Sequence, residues 1–415
     1  MPEFKAFKGV IAEEKYKANF AIRSLDYYTD EEIEVLANST ATTFLDIIFP
    51  TIQKNELKPE TRFKKVRRNI ENYLKNKKII EDKLASVYIY EQIKPNGKHY
   101  TGFLGLLSLK DYNENRIKKH EETLTQRESV FANYLEHVHF QAEPTLVSYK
   151  ESTKLDVMME REKKGIPILK VTDKEQIIHK VWRIDNRLKI QQFKEVIQEI
   201  DSLYIADGHH RMGSTAMYQR IEQDQNSEHI GNEPYNYILS YIIPSHELLI
   251  LEFNRLITDL NNLTKEQFLD KISEHFSIIS KGKTAYYPSK KFHFSMYLDG
   301  EFYALYIKKE FRGQPEGLGD LDTYLLHEYL LKPILNIQDA RNDTRIKYVK
   351  GTGNLEGIQF LKSQVDQGTY KVAFGLFPMT FDEMKHISDL DLRMPPKSTY
   401  IEPKLLSGLV MYKMK

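Results

Sequence analysis

Alternation is the feature that most constrains this chain: short apolar runs of β type are separated repeatedly by charged stretches of helical period. Ala85–Ile93 and Tyr100–Leu109 read as strands joined by Lys94-Pro-Asn-Gly-Lys98, where Asn and Gly tolerate the positive φ that a tight turn needs. Further β-type runs lie at 143–149, 179–184, 202–206, 235–244, 248–253, 291–297 and 302–307. The last two read as a hairpin around Asp299-Gly300. Helices are predicted near 29–40, where Thr29 or Asp30 supplies a cap, and at 60–84, 126–137, 152–163, 191–200, 209–223, 260–276 and 319–335. Such mixing predicts an α+β (mixed α/β) fold built in layers. Three regions follow: a mostly helical N-terminal region over 1–84, a core over 85–255, and an α/β C-terminal region over 256–415 packing on it.

Composition narrows the function classes. A chain of 415 residues with 41% hydrophobic and 29% charged residues is long enough for more than one substantial core. Sixty basic residues against fifty-nine acidic ones give a formal charge of +1, which disfavours nucleic acid or an anionic membrane as a general partner. Cysteine is absent, which excludes disulfides, thiolate nucleophiles and Cys-based metal centres. The opening residues lack a signal-peptide pattern, and no run approaches the roughly 20 apolar residues of a membrane span. The cytoplasm is the expected location. Oligomeric state is not legible.

The strongest local signal is Tyr204-Ile-Ala-Asp-Gly-His-His-Arg-Met-Gly-Ser-Thr-Ala216. An apolar strand runs into Asp207-Gly208, and a helix starts at once with His209, His210 and Arg211. The first turn of a helix has amides without intrahelical acceptors and a positive dipole end, so it favours anions such as phosphate. Gly208 lets backbone approach a ligand, and Arg211 can grip phosphate or carboxylate in a bidentate fork. Either histidine could move protons near neutral pH, with Asp207 as acceptor, orienting group or metal ligand. The plainer reading is a capping aspartate followed by surface histidines.

Three further clusters stand out. His120 and Glu121, after Lys118-Lys119, pair an imidazole with a carboxylate, as a base with its orienting group or as metal ligands, though many charged loops look the same. Asp339-Ala-Arg-Asn-Asp-Thr-Arg345 precedes Lys350-Gly-Thr-Gly353 and could grip phosphate through Arg345, yet it is no nucleotide-binding fingerprint. Prolines 395, 396 and 403 stiffen a loop presenting Lys397, Ser398, Thr399 and Lys404, either to a ligand or simply to close the fold.

The order and spread of several landmarks make the chain resemble the domain-of-unknown-function 1015 family along most of its length. They are Lys119-His-Glu-Glu-Thr123, His179-Lys-Val-Trp182, Tyr204-Ile-Ala-Asp-Gly-His-His-Arg211, Tyr235-Asn-Tyr237 and Phe253-Asn-Arg255. Later come Asp343-Thr-Arg-Ile346 with Gly351, Ala373-Phe374, Phe377-Pro378, Met394-Pro-Pro-Lys-Ser-Thr399 and Glu402-Pro-Lys404. Two departures exist. The family's Pro-Tyr-Asp element is replaced by Leu25-Asp-Tyr-Tyr28, and its Arg-Thr-Asp-Arg-Ile element reads Arg341-Asn-Asp-Thr-Arg-Ile346.

The Asp-Gly-His-His-Arg element also resembles that of the ParB/sulfiredoxin-like superfamily, whose members hold nucleotide phosphates or phosphorylated substrates there. One branch phosphorylates free serine with ADP. The resemblance therefore implies a ParB/sulfiredoxin-like catalytic core over 85–255. It also implies phosphoryl transfer on a small hydroxy amino acid or its phosphate ester, as a phosphoserine phosphatase or a free-serine kinase. On this reading Asp207, His209, His210, Glu121 and His120 handle protons, while Gly208, Arg211, Arg345, Lys397 and Ser398 contact phosphate. Mg2+ is compatible but not required, and ADP or ATP enters only for a kinase. The partner is a small phosphorylated molecule. The alternatives are a non-catalytic ParB-like DNA-binding protein, which the balanced charge opposes, and a sensor of a phosphorylated metabolite.

Overall fold

A computed structural model describes residues 2–39, 41–52 and 58–415. The fold is mixed α/β, as the alternation predicts, and it divides into two compact units. The first gathers 1–118, 123–248 and 403–415, and the second gathers 119–122 and 249–402. The segment Pro403–Lys415 pairs with strands of the first unit. Leu406–Ser407 joins Ile22–Arg23, and Met411–Lys413 lies between Gly9–Ala12 and Phe140–Gln141.

The first unit is built on a mixed sheet. Its strands run in the order Leu169–Thr172, Ile178–Ile184, Val87–Ile93, His99–Ser108, Tyr237–Pro244, Thr145–Tyr149, Leu203–Asp207 and Ile117–Lys118, with Phe4–Lys5 added on His99–Ser108. The Lys94–Lys98 turn forms the expected hairpin, with Gly97 at φ +82° and Ile93 opposite His99. Thr145–Tyr149 is buried along its whole length, and Leu203–Ala206 likewise, as suits strands covered on both faces. Phe103, Val147, Phe193, Ile205 and Met212 share one core. The helix expected over 60–84 spans Pro59–Lys75 instead. Lys77 turns to φ +53°, the amide of Lys78 bonds the Tyr73 carbonyl, and Ile79–Glu81 continues as a strand on Val10–Ala12. That left-handed ending stops a helix whose charge pattern would otherwise extend it.

The second unit carries a six-stranded antiparallel sheet in the order Phe276–Gly282, Glu301–Ile307, His293–Leu298, Val372–Gly375, Phe253–Ile257, Ile346–Lys350. Asp299 and Gly300 both take positive φ in its hairpin, the conformation that the twist of two-residue β-turns requires. Helix Lys265–His275 buries Phe268 and Ile272 against this sheet, and Leu325, Leu330 and Leu335 complete the same core. The expected strand over 248–253 is broken. Leu249–Leu251 pairs Tyr400–Glu402, Phe253–Ile257 enters the main sheet, and Glu252 stands between them. Among the described residues no helix is long and apolar enough to cross a membrane.

Candidate functional site

Strand Leu203–Asp207 delivers its last residue irregularly. Ile205 faces Val147 and Asp207 faces Leu146, so Ala206 is an extra residue in the pairing with Thr145–Tyr149. Such a bulge bends a strand end and re-aims the side chain that follows. Gly208 then takes φ +93°, ψ 31°, a left-handed conformation that costs glycine little, and helix His209–Gln225 begins without a side-chain cap. A Cβ at Gly208 would lie 2.8 Å from Arg211 Nε, so the guanidinium folds back over the glycine. Lacking a Cβ there is what permits that close approach.

The charges around this helix start are organised by residues far away in the chain. Lys404 donates from Nζ to Asp207 Oδ2 at 3.1 Å, and Arg211 lies 4.0 Å from the same oxygen. Arg211 also donates to Glu143, whose other oxygen accepts from Ser407 Oγ at 3.0 Å. The Lys404 carbonyl accepts from Gln92 Nε2 at 3.0 Å, which fixes the lysine's backbone. Asp207 keeps 39% of its side-chain surface open, yet burial is the largest influence on its carboxyl and pulls the pKa upward. Lys404, Arg211 and His209 outweigh that pull, and the carboxyl sits below its ordinary range. Asp207 is therefore an anion at neutral pH.

Arg211 Nε is buried and makes no hydrogen bond with any described residue. It lies 2.8 Å from where a Gly208 Cβ would stand, at the start of a helix whose first-turn amides have no acceptor inside it. His209 is buried and His210 half-buried, with the His210 carbonyl back-bonded by Ser214 Oγ. Gly213 packs so closely on helix Thr125–Val138 that a Cβ would lie 1.8 Å from a Glu128 oxygen, which holds the helix start in place.

The other sequence candidates belong to the second unit. His120 is fully buried, Glu121 is half-buried, and the His120 carbonyl accepts from the Met394 amide at 2.9 Å. Arg345 is used within its own loop: it bonds Asp343 and the carbonyls of Leu335 and Asn336. Lys397 takes φ +55°, its Nζ lies 5.3 Å from the Phe253 ring centre, and its carbonyl accepts from Arg255 Nη2 at 3.2 Å. Ser398 Oγ donates to Pro395 O at 2.7 Å and meets Thr323 Oγ1 at 3.0 Å. Asp207, Gly208, His209, His210 and Arg211 thus form one local site, while the other five candidates are placed on the second unit.

The sequence offers Lys404 in a stiff loop and in the landmark Glu402-Pro-Lys404, and marks neither Glu143 nor Ser407 as a site residue. Pairing across the sheet and return of the C-terminal segment bring Lys404 to Asp207, Glu143 to Arg211 and Ser407 to Glu143, and none of this is visible in local spacing. The landmark His179 has a structural role. It is buried, with Nδ1 2.8 Å from Tyr90 OH and Nε2 3.4 Å from Asp173.

No curated protein matches the chain. Several solved structures overlap with it weakly. A conserved hypothetical protein from Pyrococcus furiosus is 12% identical, covering 73% of this chain and 93% of its own, with TM-score 0.36. A free serine kinase in complex with AMP is 11% identical, covering 73% and 90%, with TM-score 0.36. SbnI with C-terminal truncation from Staphylococcus aureus is 10% identical, covering 72% and 82%, with TM-score 0.37. Overlaps this low fix neither fold nor activity. The sequence profile of the family described as "Protein of unknown function (DUF1015)" matches residues 4–324, well over half of the sequence, and this chain belongs to that family.

Proposed function

We propose that the helix start at Gly208 binds the phosphate of a small hydroxy amino acid's ester, and that the chain transfers or hydrolyses that phosphoryl group. Serine and phosphoserine are the pair to test first. The observation carrying this reading is the buried, unpartnered Arg211 Nε beside a glycine-led helix N-terminus. Positioning and charge stabilisation supply most of the catalysis in phosphoryl transfer, so a preorganised cationic cradle suits the task. The strand, Asp-Gly turn and helix also keep the expectation of a ParB/sulfiredoxin-like core.

Roles follow from charge. A carboxyl held below its ordinary range is a weak proton acceptor, so Asp207 serves better as the fixed anion that organises Lys404 and Arg211. His209 or His210 takes the proton from the attacking hydroxyl or water, because imidazole is the side chain suited to that exchange at neutral pH. In hydrolysis, water attacks phosphorus and the serine oxygen leaves with a proton. In the kinase direction the serine hydroxyl attacks the terminal phosphorus of ADP or ATP, the bridging P–O bond breaks, and AMP or ADP leaves. His120, Glu121, Lys397 and Ser398 remain proposed contacts of lower rank, and Arg345 ranks last because its guanidinium already serves its own loop. Mg2+ stays compatible with this reading without being required, and no step is routed through it.

Phosphorus NMR tests the reading, with phosphoserine alone and then with serine plus ADP or ATP. Released phosphate or new phosphoserine, lost in Arg211→Ala, supports transfer. Binding of phosphoserine with no product in any mixture supports the second reading, a phospho-metabolite sensor, which the ion pairs already closing on Asp207 and Arg211 favour. Absence of both binding and product removes the proposal.

A further inference from the structure

Glu252, the residue that breaks the expected strand, opens on a cavity of about 170 Å3 within the second unit. Its carbonyl accepts from the Gly351 amide at 2.8 Å, while its side chain turns inward and is only 3% exposed. A Cβ on Gly351 would lie 2.0 Å from Glu252 Oε1, so a glycine there is what leaves space for the carboxylate. No described residue completes a hydrogen bond to either oxygen. Burial raises its pKa, moderated by its own amide, that of Gly353 and the Asn254 side chain nearby. Isolating a carboxylate in this way is costly unless a proton or an external cation compensates it.

The rest of the lining decides between these. Asp322 contributes a second buried carboxylate, with one oxygen accepting from the Phe292 amide at 2.8 Å. Lys291 also borders the cavity but is paired with Glu383 at 2.7 Å, so its charge is already matched. Thr323 and Ser398 add hydroxyls, and Leu376, Phe377 and Met379 form an apolar wall. Phosphate would meet two carboxylates without a spare cation. A hard divalent ion would need more oxygen ligands than this largely apolar wall supplies.

We infer that this cavity binds a small primary alkylammonium ion, with Glu252 and Asp322 holding the ammonium and the apolar wall receiving the chain. At roughly 30 Å3 of liquid volume per water, the space suits a ligand of about four to six heavy atoms. The inference is independent of the reading of the Gly208 helix start, which lies in the first unit.

The test uses the full chain and isothermal titration with n-butylammonium chloride at about pH 8, where carboxylates ordinarily ionise. Saturable binding is expected for butylammonium and not for n-butanol or butyrate. Glu252→Gln, which keeps the shape and removes the charge, should weaken binding by at least about tenfold. If that variant fails to fold, Asp322→Asn serves in its place, with loss of several-fold expected. No saturable binding of butylammonium, equal binding of butanol, displacement of butylammonium by Mg2+ at comparable concentration, or undiminished affinity in a folded variant overturns the inference.

Discussion

Two aspartates, each beside the start of a helix, are driven in opposite directions by their surroundings. Asp207 stands just before Gly208, and burial would raise its pKa, but Lys404, Arg211 and His209 hold it below the ordinary range. Asp322 opens the short helix Asp322–Leu326, and burial pushes its carboxyl up to about 7. The Phe292 amide offsets that only in part, and Glu383 adds to it. Helix position is similar in the two cases, so it does not decide the charge state. What decides is whether the fold brings a cation to the carboxylate. The first unit brings two, from 197 residues away for Lys404 and from the next turn for Arg211. In the second unit Lys291 and Arg312 pull on Asp322 less than burial does, and Lys291 is matched by Glu383. The first carboxyl is therefore charged at neutral pH, whereas the second keeps its proton up to about pH 7.

The largest effect that could break this contrast is on stability. Folded Asp322 keeps its proton up to about pH 7, whereas the unfolded chain releases it near its ordinary value. Stability from this group is therefore full below about pH 4, declines between about 4 and 7, and stays lowest above that window. Asp322→Asn removes the cost, which is at most about 4 kcal/mol, and should raise Tm by roughly 5–10 °C near pH 8. The gain should shrink as pH falls toward 4 when followed by calorimetry, and a gain independent of pH would end the contrast. Asp207 runs with the opposite sign: its contribution is present above the ordinary carboxylate pKa and disappears as pH falls through its lower folded value.

Next in size, Arg211→Ala should cut phosphoserine turnover by about a hundredfold, read by phosphorus NMR, if the proposed phosphate contact holds. Retained turnover would detach the cationic cluster from the chemistry. Gly208→Ala should cost about 1–2 kcal/mol, because the backbone is left-handed there and the new methyl would meet the Arg211 guanidinium at 2.8 Å. A thermal melt equal to wild type would show that the turn is less constrained than its geometry implies. Smallest is Lys404→Met. The Asp207 carboxyl should titrate higher in a carbon-13 titration, by an amount limited by the screening of exposed charges. An unmoved titration would mean that Arg211 alone sets the aspartate's charge.

What could be read in the sequence was local. Tyr204 to Ala216 carries its own instructions: an apolar strand, a glycine able to take positive φ, and a helix opening in polar residues. The Pro95-Asn96-Gly97 and Asp299-Gly300 turns were legible for the same reason. The end of the helix at Lys75 was not, because the charged period runs on while a left-handed residue at 77 stops the hydrogen-bond ladder. Glu252 was hidden within an apolar run, since one polar residue between strand-forming neighbours carries no sign that the two halves join different sheets. Glu143, Lys404 and Ser407 could be connected to the Asp207 region only through sheet order, and sheet order among many strands is a global property.

The pairing of Lys404 with Asp207 also has a consequence in time. At about 5–20 residues per second, synthesis reaches the lysine roughly 10–40 seconds after the aspartate has been made. Throughout that interval the helix start lacks its counter-ion, and Glu143 lacks the Ser407 hydroxyl. A nascent chain stalled before residue 404 would carry the whole Asp-Gly-His-His-Arg element with its charges unset. The Asp207–Lys404 pair thus forms only after translation has passed that residue.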